Sequence, residues 1–327
     1  MPDSSPTSSA HEPRVVAVVV AFNRADLLRE ALDALAGQDR PVDAVLVVDN
    51  ASTDHTARVA VEHPSGPVLL TLPRNTGGAG GFAVGMAHAV RRLDADLVWV
   101  MDDDTIPGPH ALAGLLEARE ASPVPVTILG SRVEWVDGRE HPMNTPRRRP
   151  YERDGDTVAG EATSSVPVRS SSFVSMMIDG GAIRRFGLPV ADYFIWNDDF
   201  EYSARLLRDG TGLHVPTSVV EHRTKVFGAT DVDPGERFYY EVRNKVWMIT
   251  RSSALTPGER VLYTGAAMRR WARTVSASKA RGVLVRAGSR GLRDGALRRP
   301  KSSTTVLAGM GDVSDDVAAV ERGAGRA

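Results

Sequence analysis

A chain of 327 residues with 42% hydrophobic and 25% charged side chains and a formal net charge of −1 has the composition of an ordinary folded protein. That excludes wholesale disorder, collagen-like repeats and a strongly charged nucleic-acid coat. The absence of cysteine excludes disulfides, thiolate nucleophiles and Cys-ligated metal sites, and makes the cytoplasm the simplest compartment.

Residues 1–13, rich in Ser and Pro with no basic-then-apolar pattern, read as a disordered lead-in rather than a secretory signal. Val15–Ala21 is almost uninterrupted valine, the composition of a strand buried on both faces of a parallel sheet. This run, even with Phe22, falls far short of the ~20 residues that a membrane-spanning helix needs. After Phe22-Asn23-Arg24, the residues Leu27, Leu28, Ala31, Leu32 and Leu35 share one helical face, and Gly37 offers a stop. A second run, Ala44–Val48, ends in Asp49-Asn50. A third, Val68–Leu72, leads into Arg74-Asn75-Thr76-Gly77-Gly78-Ala79-Gly80-Gly81 and a helix to about Leu93. The fourth, Leu97–Met101, ends in Asp102-Asp103-Asp104. Four strand-then-helix units with short connections predict a doubly wound α/β sheet. Polar residues gather at the carboxyl ends of the strands, where open parallel sheets bind ligands.

From about Asp137 to Val166 the sequence turns loop-like, with Pro142, Pro146, Arg147, Arg148, Arg149 and Pro150, and reads as an excursion or lid. Regular structure resumes at Phe173–Ile178. A helix is expected from Asp198 or Asp199 to Asp209, and short strands at Leu213–Val215 and Ser218–Glu221. The expected division is a lead-in (1–13), an α/β domain (14–230), a helical, aromatic and then basic region (231–300) and a flexible tail (301–327).

Four constellations carry chemistry. Asp102-Asp103-Asp104 places three mutually repelling carboxylates after a buried strand, a cost that a hard divalent cation such as magnesium or manganese offsets. The plainer reading is an acidic helix start. The Gly-rich segment after Arg74-Asn75 lets backbone approach a nucleotide-sugar closely, or else serves helix–sheet packing. Phe194-Ile195-Trp196-Asn197-Asp198-Asp199 sets carboxylates beside large apolar groups at a helix start, fitting a general base towards an alcohol or a simple N-cap. Trp196 offers a flat face for a sugar ring. His222, after a strand, is either a hydrogen-bonded structural residue or the nitrogen ligand that completes a carboxylate metal site. The arginines from Arg269 to Arg299, interspersed with Trp271 and Leu284, form a solvated face or a surface for anionic membrane. No nucleic-acid recognition module is present.

These constellations, in this order from Val15 to Thr224, resemble the inverting glycosyltransferases of family 2. The resemblance implies a GT-A type doubly wound mixed sheet, with a nucleotide-binding half and an acceptor-binding half, followed here by the helical, basic extension. It implies that Asp49 contacts uracil, that Asp102 and Asp104 bind metal and nucleotide, and that Asp103 meets the ribose. Phe22, Asn23, Arg24, Arg74, Asn75, Gly80, Gly81 and Trp196 complete the nucleotide-sugar set, and His222 joins the metal. Asp199 takes the place of the catalytic base, with Asp198 its neighbour. A closer similarity, to bacterial galactofuranosyltransferases and rhamnosyltransferases of cell-wall synthesis, rests on Arg74–Phe82, on Phe194–Asp199 and on His222. Glu236-Arg237-Phe238-Tyr239-Tyr240 with Arg243-Asn244 looks like the actinobacterial galactofuranosyltransferases that begin galactan on a lipid-linked acceptor. Polymerising galactofuranosyltransferases carry Trp-Asp-Asp, whereas here Asn197 separates Trp196 from the acids. The resemblance further implies a uridine-diphosphate galactofuranose donor, a divalent metal, and a lipid-linked glycan acceptor met by Tyr193, Trp196, Phe238, Tyr239 and Tyr240. The 137–166 segment would close over them, at the inner face of the plasma membrane. The alternatives are a thymidine-diphosphate rhamnose donor or a catalytically inactive sugar-nucleotide binder.

Overall fold

The computed structural model describes residues 12–142, 144, 146–149, 152–224, 227 and 233–324. Residues 1–11 of the expected lead-in lie outside the described residues, as do 325–327. So do Met143, Thr145, Pro150 and Tyr151 of the expected lid, and Asp231 at the expected domain boundary.

The first half alternates strand and helix: β1 (Val15–Ala21), α1 (Ala25–Ala36), β2 (Ala44–Asp49), α2 (Thr56–Glu62), β3 (Val68–Thr71), α3 (Gly77–Arg92) and β4 (Leu97–Asp102). Next come β5 (Thr105–Pro107), α4 (Ala111–Ala121), β6 (Val126–Glu134), β7 (Arg147–Arg148), α5 (Asp154–Thr163), β8 (Val166–Ser170), β9 (Met176–Asp179) and α6 (Gly180–Phe186). The chain ends with α7 (Asp198–Leu206), β10 (Thr211–His222), α8 (Phe238–Arg251), α9 (Pro257–Ala277), α10 (Arg281–Leu297), α11 (Ser303–Val306) and α12 (Asp312–Ala324).

The described strands form one mixed sheet in the order β3-β2-β1-β4-β9-β6-β10-β8-β7, with β5 against β10. The strands β3, β2, β1 and β4 are parallel. Strand β9 is antiparallel to both β4 and β6. The valine run of β1 is buried throughout because it feeds two cores. Val16, Val18 and Val20 pack towards α3, while Val15, Ala17 and Val19 face the layer containing α1 and α4, as the two-residue period of a strand requires. The two segments expected as short strands, 213–215 and 218–221, are one strand with a register shift between Val215 and Val219.

Two sequence expectations fail. The 137–166 segment is not simply a loop: it contains α5, whose Ala159 is in the core and whose Asp156 is clamped by Arg149 and Arg153. The tail 301–327 is not loose over its described part. Leu307, Val317 and Val320 join the main core, and buried Asp316 pairs with His88 and Arg92 of α3. The apolar side chains of this tail were visible, but the surface that receives them exists only once α3 and α6 are in place.

Candidate active site

The carboxyl ends of β1, β2 and β4 lie side by side, because β1 pairs with both neighbours in register: Ala21 opposite Asp49, and Val20 opposite Asp102. Asp49 is buried, and its Oδ1 accepts the Ser52 N–H at 3.1 Å. The loop after β1 is turned by Asn23, which adopts a left-handed backbone (φ 54°). Its Oδ1 accepts the Thr53 N–H at 2.7 Å, tying the β1 and β2 loops together. Phe22 is 41% exposed at this rim.

The three-acid run is held open by its neighbours. Asp103 accepts the Phe22 N–H at 3.0 Å through Oδ2 and Arg24 at 3.3 Å through Oδ1. Both of its oxygens therefore serve the β1 loop, so Asp103 braces that loop whatever else it meets. Burial pushes its carboxyl up to about 7 despite Arg24. Burial, reinforced by the charges of Asp104 and Asp103, holds Asp102 well above the ordinary carboxylate range. Burial also acts to raise Asp104, but His222 and Arg24 outweigh it and bring Asp104 below its ordinary value. The expected helix start is absent, since Thr105–Pro107 forms β5 and pairs with the end of β10. That pairing puts His222 opposite Thr105 and its Nε2 3.3 Å from Asp104.

Asp102, Asp104 and His222 can each present one ligand atom, and these atoms all lie within 4.8 Å of one another. The set suits a divalent cation: two hard oxygens and one imidazole nitrogen. His222 Nδ1 faces Asn144 Oδ1 at 2.9 Å. A proton on Nδ1 leaves the Nε2 lone pair towards the acids, the usual second-partner arrangement of a metal-binding histidine. Asn144 was not anticipated, because it sits in the proline-rich segment, 78 residues away from His222 in sequence.

The Gly-rich segment divides. A Cβ at Gly81 would strike Val20, one at Gly85 would strike Val18, and one at Gly80 would strike Thr76. Gly80 and Gly81 are thus packing residues that bring α3 onto the sheet, and the expected close approach to a ligand is corrected for both. Gly77 (φ 71°) abuts the Phe194 carbonyl, and Gly78 faces Asp198. Arg74 and Asn75 are likewise committed: Arg74 donates to the Val306 carbonyl of α11, and Asn75 accepts the Gly77 N–H. Buried Asn50 does the joining that sequence reasoning missed, accepting from Thr76 N–H and donating to the Gly77 carbonyl at 2.9 Å.

The turn before α7 packs on the start of α3, where the Ala79 N–H donates to the Phe194 carbonyl at 3.3 Å. Phe194, Trp196 and Asn197 all have φ between 64° and 66°, a conformation that side-chain-bearing residues rarely adopt and that clusters at functional sites. Its restraint comes from α8. Asn244 Nδ2 faces the carbonyls of Tyr193, Ile195 and Trp196, each at 2.9 Å, and Arg243 donates to the carbonyls of Asp192 and Tyr193. Glu241 accepts from Asn197 Nδ2 at 2.9 Å. We expect Asn244→Ala to leave the Ile195 and Trp196 carbonyls short of a donor, cost about 1–3 kcal/mol of stability and lower turnover by ~10–100-fold through a displaced turn. Thermal unfolding and steady-state kinetics on one preparation check both numbers.

At the start of α7, Asp198 is buried and faces the Gly78 side, while Asp199 accepts the Phe200 N–H at 2.7 Å. Burial and the charge of Asp199 push Asp198 up to about 8. Burial raises Asp199 too, but Phe200 N–H, Ser172, Lys245 and Arg147 all oppose the rise. Neither acid is a side-chain N-cap; Asn197 occupies that position without a capping bond. Trp196 is half-buried. Of the expected acceptor aromatics, Tyr193 is buried against Trp247 and Phe238 lies in the α8–α10 core, so neither lines the cleft. Tyr240 stacks on Phe194 at 5.3 Å.

Residues 13–274 match the family described as Glycosyltransferase like family 2. Galactofuranosyltransferase GlfT1 of Mycobacterium tuberculosis is 31% identical over 255 residues, covering 72% of this chain and 82% of that protein. GlfT1 of Mycolicibacterium smegmatis is 32% identical over 206 residues, 61% and 67% of the two chains. Among solved structures, S. aureus TarS 1–349 in complex with UDP-GlcNAc has a TM-score of 0.58 at 15% identity, covering 96% of this chain and 92% of that one. This chain spans 54% of the longer TarS chain. The mannosyltransferase PcManGT of Pyrobaculum calidifontis, in complex with GDP-Man and Mn2+, has a TM-score of 0.54 at 20% identity, covering 96% and 88%. These neighbours show the same GT-A fold.

Proposed function

This chain belongs to glycosyltransferase family 2, and from that premise we propose that it transfers galactofuranose from a uridine-diphosphate donor to a hydroxyl of a lipid-linked glycan, with inversion. The observation that carries the reading is the proximity of two acid groups: the Asp102, Asp104 and His222 set lies near the start of α7, where Asp198 acts on Asp102 by its charge and Asn144 joins His222 to Ser172, which hydrogen-bonds Asp199. The identity to GlfT1 supports the choice of sugar and acceptor. Asp199 takes the acceptor O–H proton as that oxygen bonds to the anomeric carbon. The carbon–oxygen bond to the diphosphate breaks, and uridine diphosphate leaves with the electron pair. Asp102, Asp104 and His222 would hold magnesium or manganese, whose positive charge stabilises the departing diphosphate. Asp49 bounds the nucleotide end of the cleft, and Arg24 and Asp103 keep the β1 loop in register. No side-chain nucleophile enters, because inversion needs one displacement.

No helix among the described residues is long and apolar enough to cross a membrane. We read α9 instead as meeting an anionic lipid surface. Ala267 is its one buried residue among those described, and it exposes Val261, Leu262 and Met268 on the side where Arg269 and Arg273 also emerge. Trp271 and Leu284, first candidates for the lipid contact, pack with Phe238 and Val242 instead.

The test is product formation from uridine-diphosphate galactofuranose and thymidine-diphosphate rhamnose on a prenyl-diphosphate-linked acceptor, with and without phosphatidylglycerol vesicles. We expect the uridine donor to exceed the thymidine donor by at least ~100-fold in kcat/KM, because a pocket that hydrogen-bonds its substrate rejects mismatched partners. We also expect anionic vesicles to raise the rate. The reverse donor ratio overturns the galactofuranose assignment, and binding of either donor without transfer or hydrolysis overturns the enzymatic reading of this chain.

A further inference from the structure

Beside Asp199 the protein gathers cationic side chains whose role need not end at steadying its carboxylate. Lys245 of α8 is only 6% exposed, yet among the described residues its ammonium forms no ion pair. Its Nζ lies 5.2 Å from the centre of the Phe200 ring, and the Arg147 guanidinium lies 4.6 Å from the same centre. Arg147 also sits over Tyr263 of α9 at 5.6 Å. Phe200 directly follows Asp199, so the two cations flank the residue next to the proposed base, and both act on its carboxylate. Arg270, on α9, adds a third positive charge felt by Lys245. Glu241 is the acid that acts most strongly on Lys245, but its oxygens already accept from Asn197 at 2.9 Å and Trp271 at 3.4 Å.

Packing gives no reason for this arrangement. Arg147 and Arg270 approach Lys245 from the exposed side, like charges gathered there repel, and the Lys245 ammonium, in a residue 6% exposed, has no ion-pair partner among the described residues. Burial accordingly pushes Lys245 down to about 8. An anion removes both penalties at once. A flexible ammonium beside planar guanidinium groups seated on aromatic rings is a donor set for phosphate oxygens. In the proposed reading the donor diphosphate would find its partners elsewhere, at the metal held by Asp102, Asp104 and His222. The charged flank instead joins α7 and α8 to α9, whose exposed arginines and apolar side chains continue away from the cleft.

We propose that Lys245 and Arg147 form a phosphate-ester subsite beside Asp199, which seats the phosphate of a lipid-linked acceptor while its sugar hydroxyl meets the base. This rests on the reading of the cleft as a donor site beside an acceptor site. The phosphate then serves as the anchor that positions an otherwise neutral glycan.

The full chain, saturated with uridine diphosphate and manganese so that the donor site is filled, is titrated calorimetrically with dodecyl phosphate below its micelle concentration. Dodecyl glucoside and inorganic phosphate are run in parallel. We expect dodecyl phosphate to bind at least ~10-fold more tightly than either, a difference of about 1.4 kcal/mol. Lys245→Met and Arg147→Gln should each lose most of that preference, and Lys245→Arg should recover it. Equal binding of the phosphate and the glucoside, or wild-type affinity in both charge-removing variants, overturns the subsite. Inorganic phosphate binding as tightly as dodecyl phosphate, and lost in the same variants, assigns the cluster to free phosphate and overturns the acceptor role. Failure of the wild type to bind uridine diphosphate in the preceding titration counts against the donor reading alone.

Discussion

Replacing Asp199 by Asn should abolish sugar transfer while leaving donor binding intact. A positioned general base contributes roughly 10²–10⁴ in rate, and the amide, of nearly the same shape, cannot accept the proton. The choice between Asp199 and Asp198 rests on their surroundings. Asp198 is raised to about 8 by burial and by Asp199, and at neutral pH it holds its proton. Asp199 is raised by the same burial but has Lys245, Arg147, Ser172 and the Phe200 N–H on its side, so it is the acid that ionises first. Because the base acts only when ionised, the rate should fall as pH drops through a value above the ordinary carboxylate range, and rise to a plateau above it. The measurement is transfer rate against pH for wild type and Asp199→Asn, with donor affinity measured on both. A variant within tenfold of wild type, or an acid limb at an ordinary aspartate value, removes Asp199 from the role. Asp198→Asn should keep most of the activity, since it mimics a carboxyl already protonated.

The second large effect is on metal-dependent donor binding. Asp104→Ala removes one of the three converging ligands and leaves His222 and Arg24 without their shared carboxylate. We expect uridine diphosphate affinity to become independent of manganese and to fall by at least ~100-fold, the upper end of what loss of a merely supporting partner costs. Calorimetric titration of both proteins, with and without manganese, decides the matter, and a melting curve of the variant shows that the fold survives. Asn144→Ala is the sharper companion. It touches no proposed ligand oxygen, and its effect on donor affinity should be confined to the manganese-dependent part, because Asn144 orients the His222 ring; its other side-chain bond, to Ser172 beside Asp199, bears on transfer and not on donor binding. Unchanged manganese dependence in Asp104→Ala would remove this cluster from the metal assignment.

Much of this molecule was legible as a string. The valine run of β1, the helical face of α1 and the acids at strand ends are local patterns, set by the two-residue and 3.6-residue periods that make a buried strand or a one-sided helix. They were enough to predict an α/β sheet with its polar residues at the carboxyl edge. The order of those residues carried the family resemblance, and with it Asp199 and the Asp102, Asp104 and His222 set. What the string could not decide was direction. Gly80 and Gly81 differ from Gly78 only in which way α3 turns them, and that depends on Val20 of a strand about 60 residues earlier. Asp103 looks equivalent to its neighbours in sequence, but its oxygens are spent on Phe22 and Arg24. The tail after Pro300 carries Val313, Val317 and Val320 at helical spacing, but the surface that buries them is built by the rest of the fold. Asn50 and Asn144 carried no signal of their own, and Asn244 only that of the Arg243-Asn244 pair in the resemblance, since an amide acquires its meaning from the partners that bracket it. Local composition determined which elements form. Only contacts between residues distant in sequence decided which side chains face the cleft, because the free energy of those contacts exists in the assembled fold and in no segment of it.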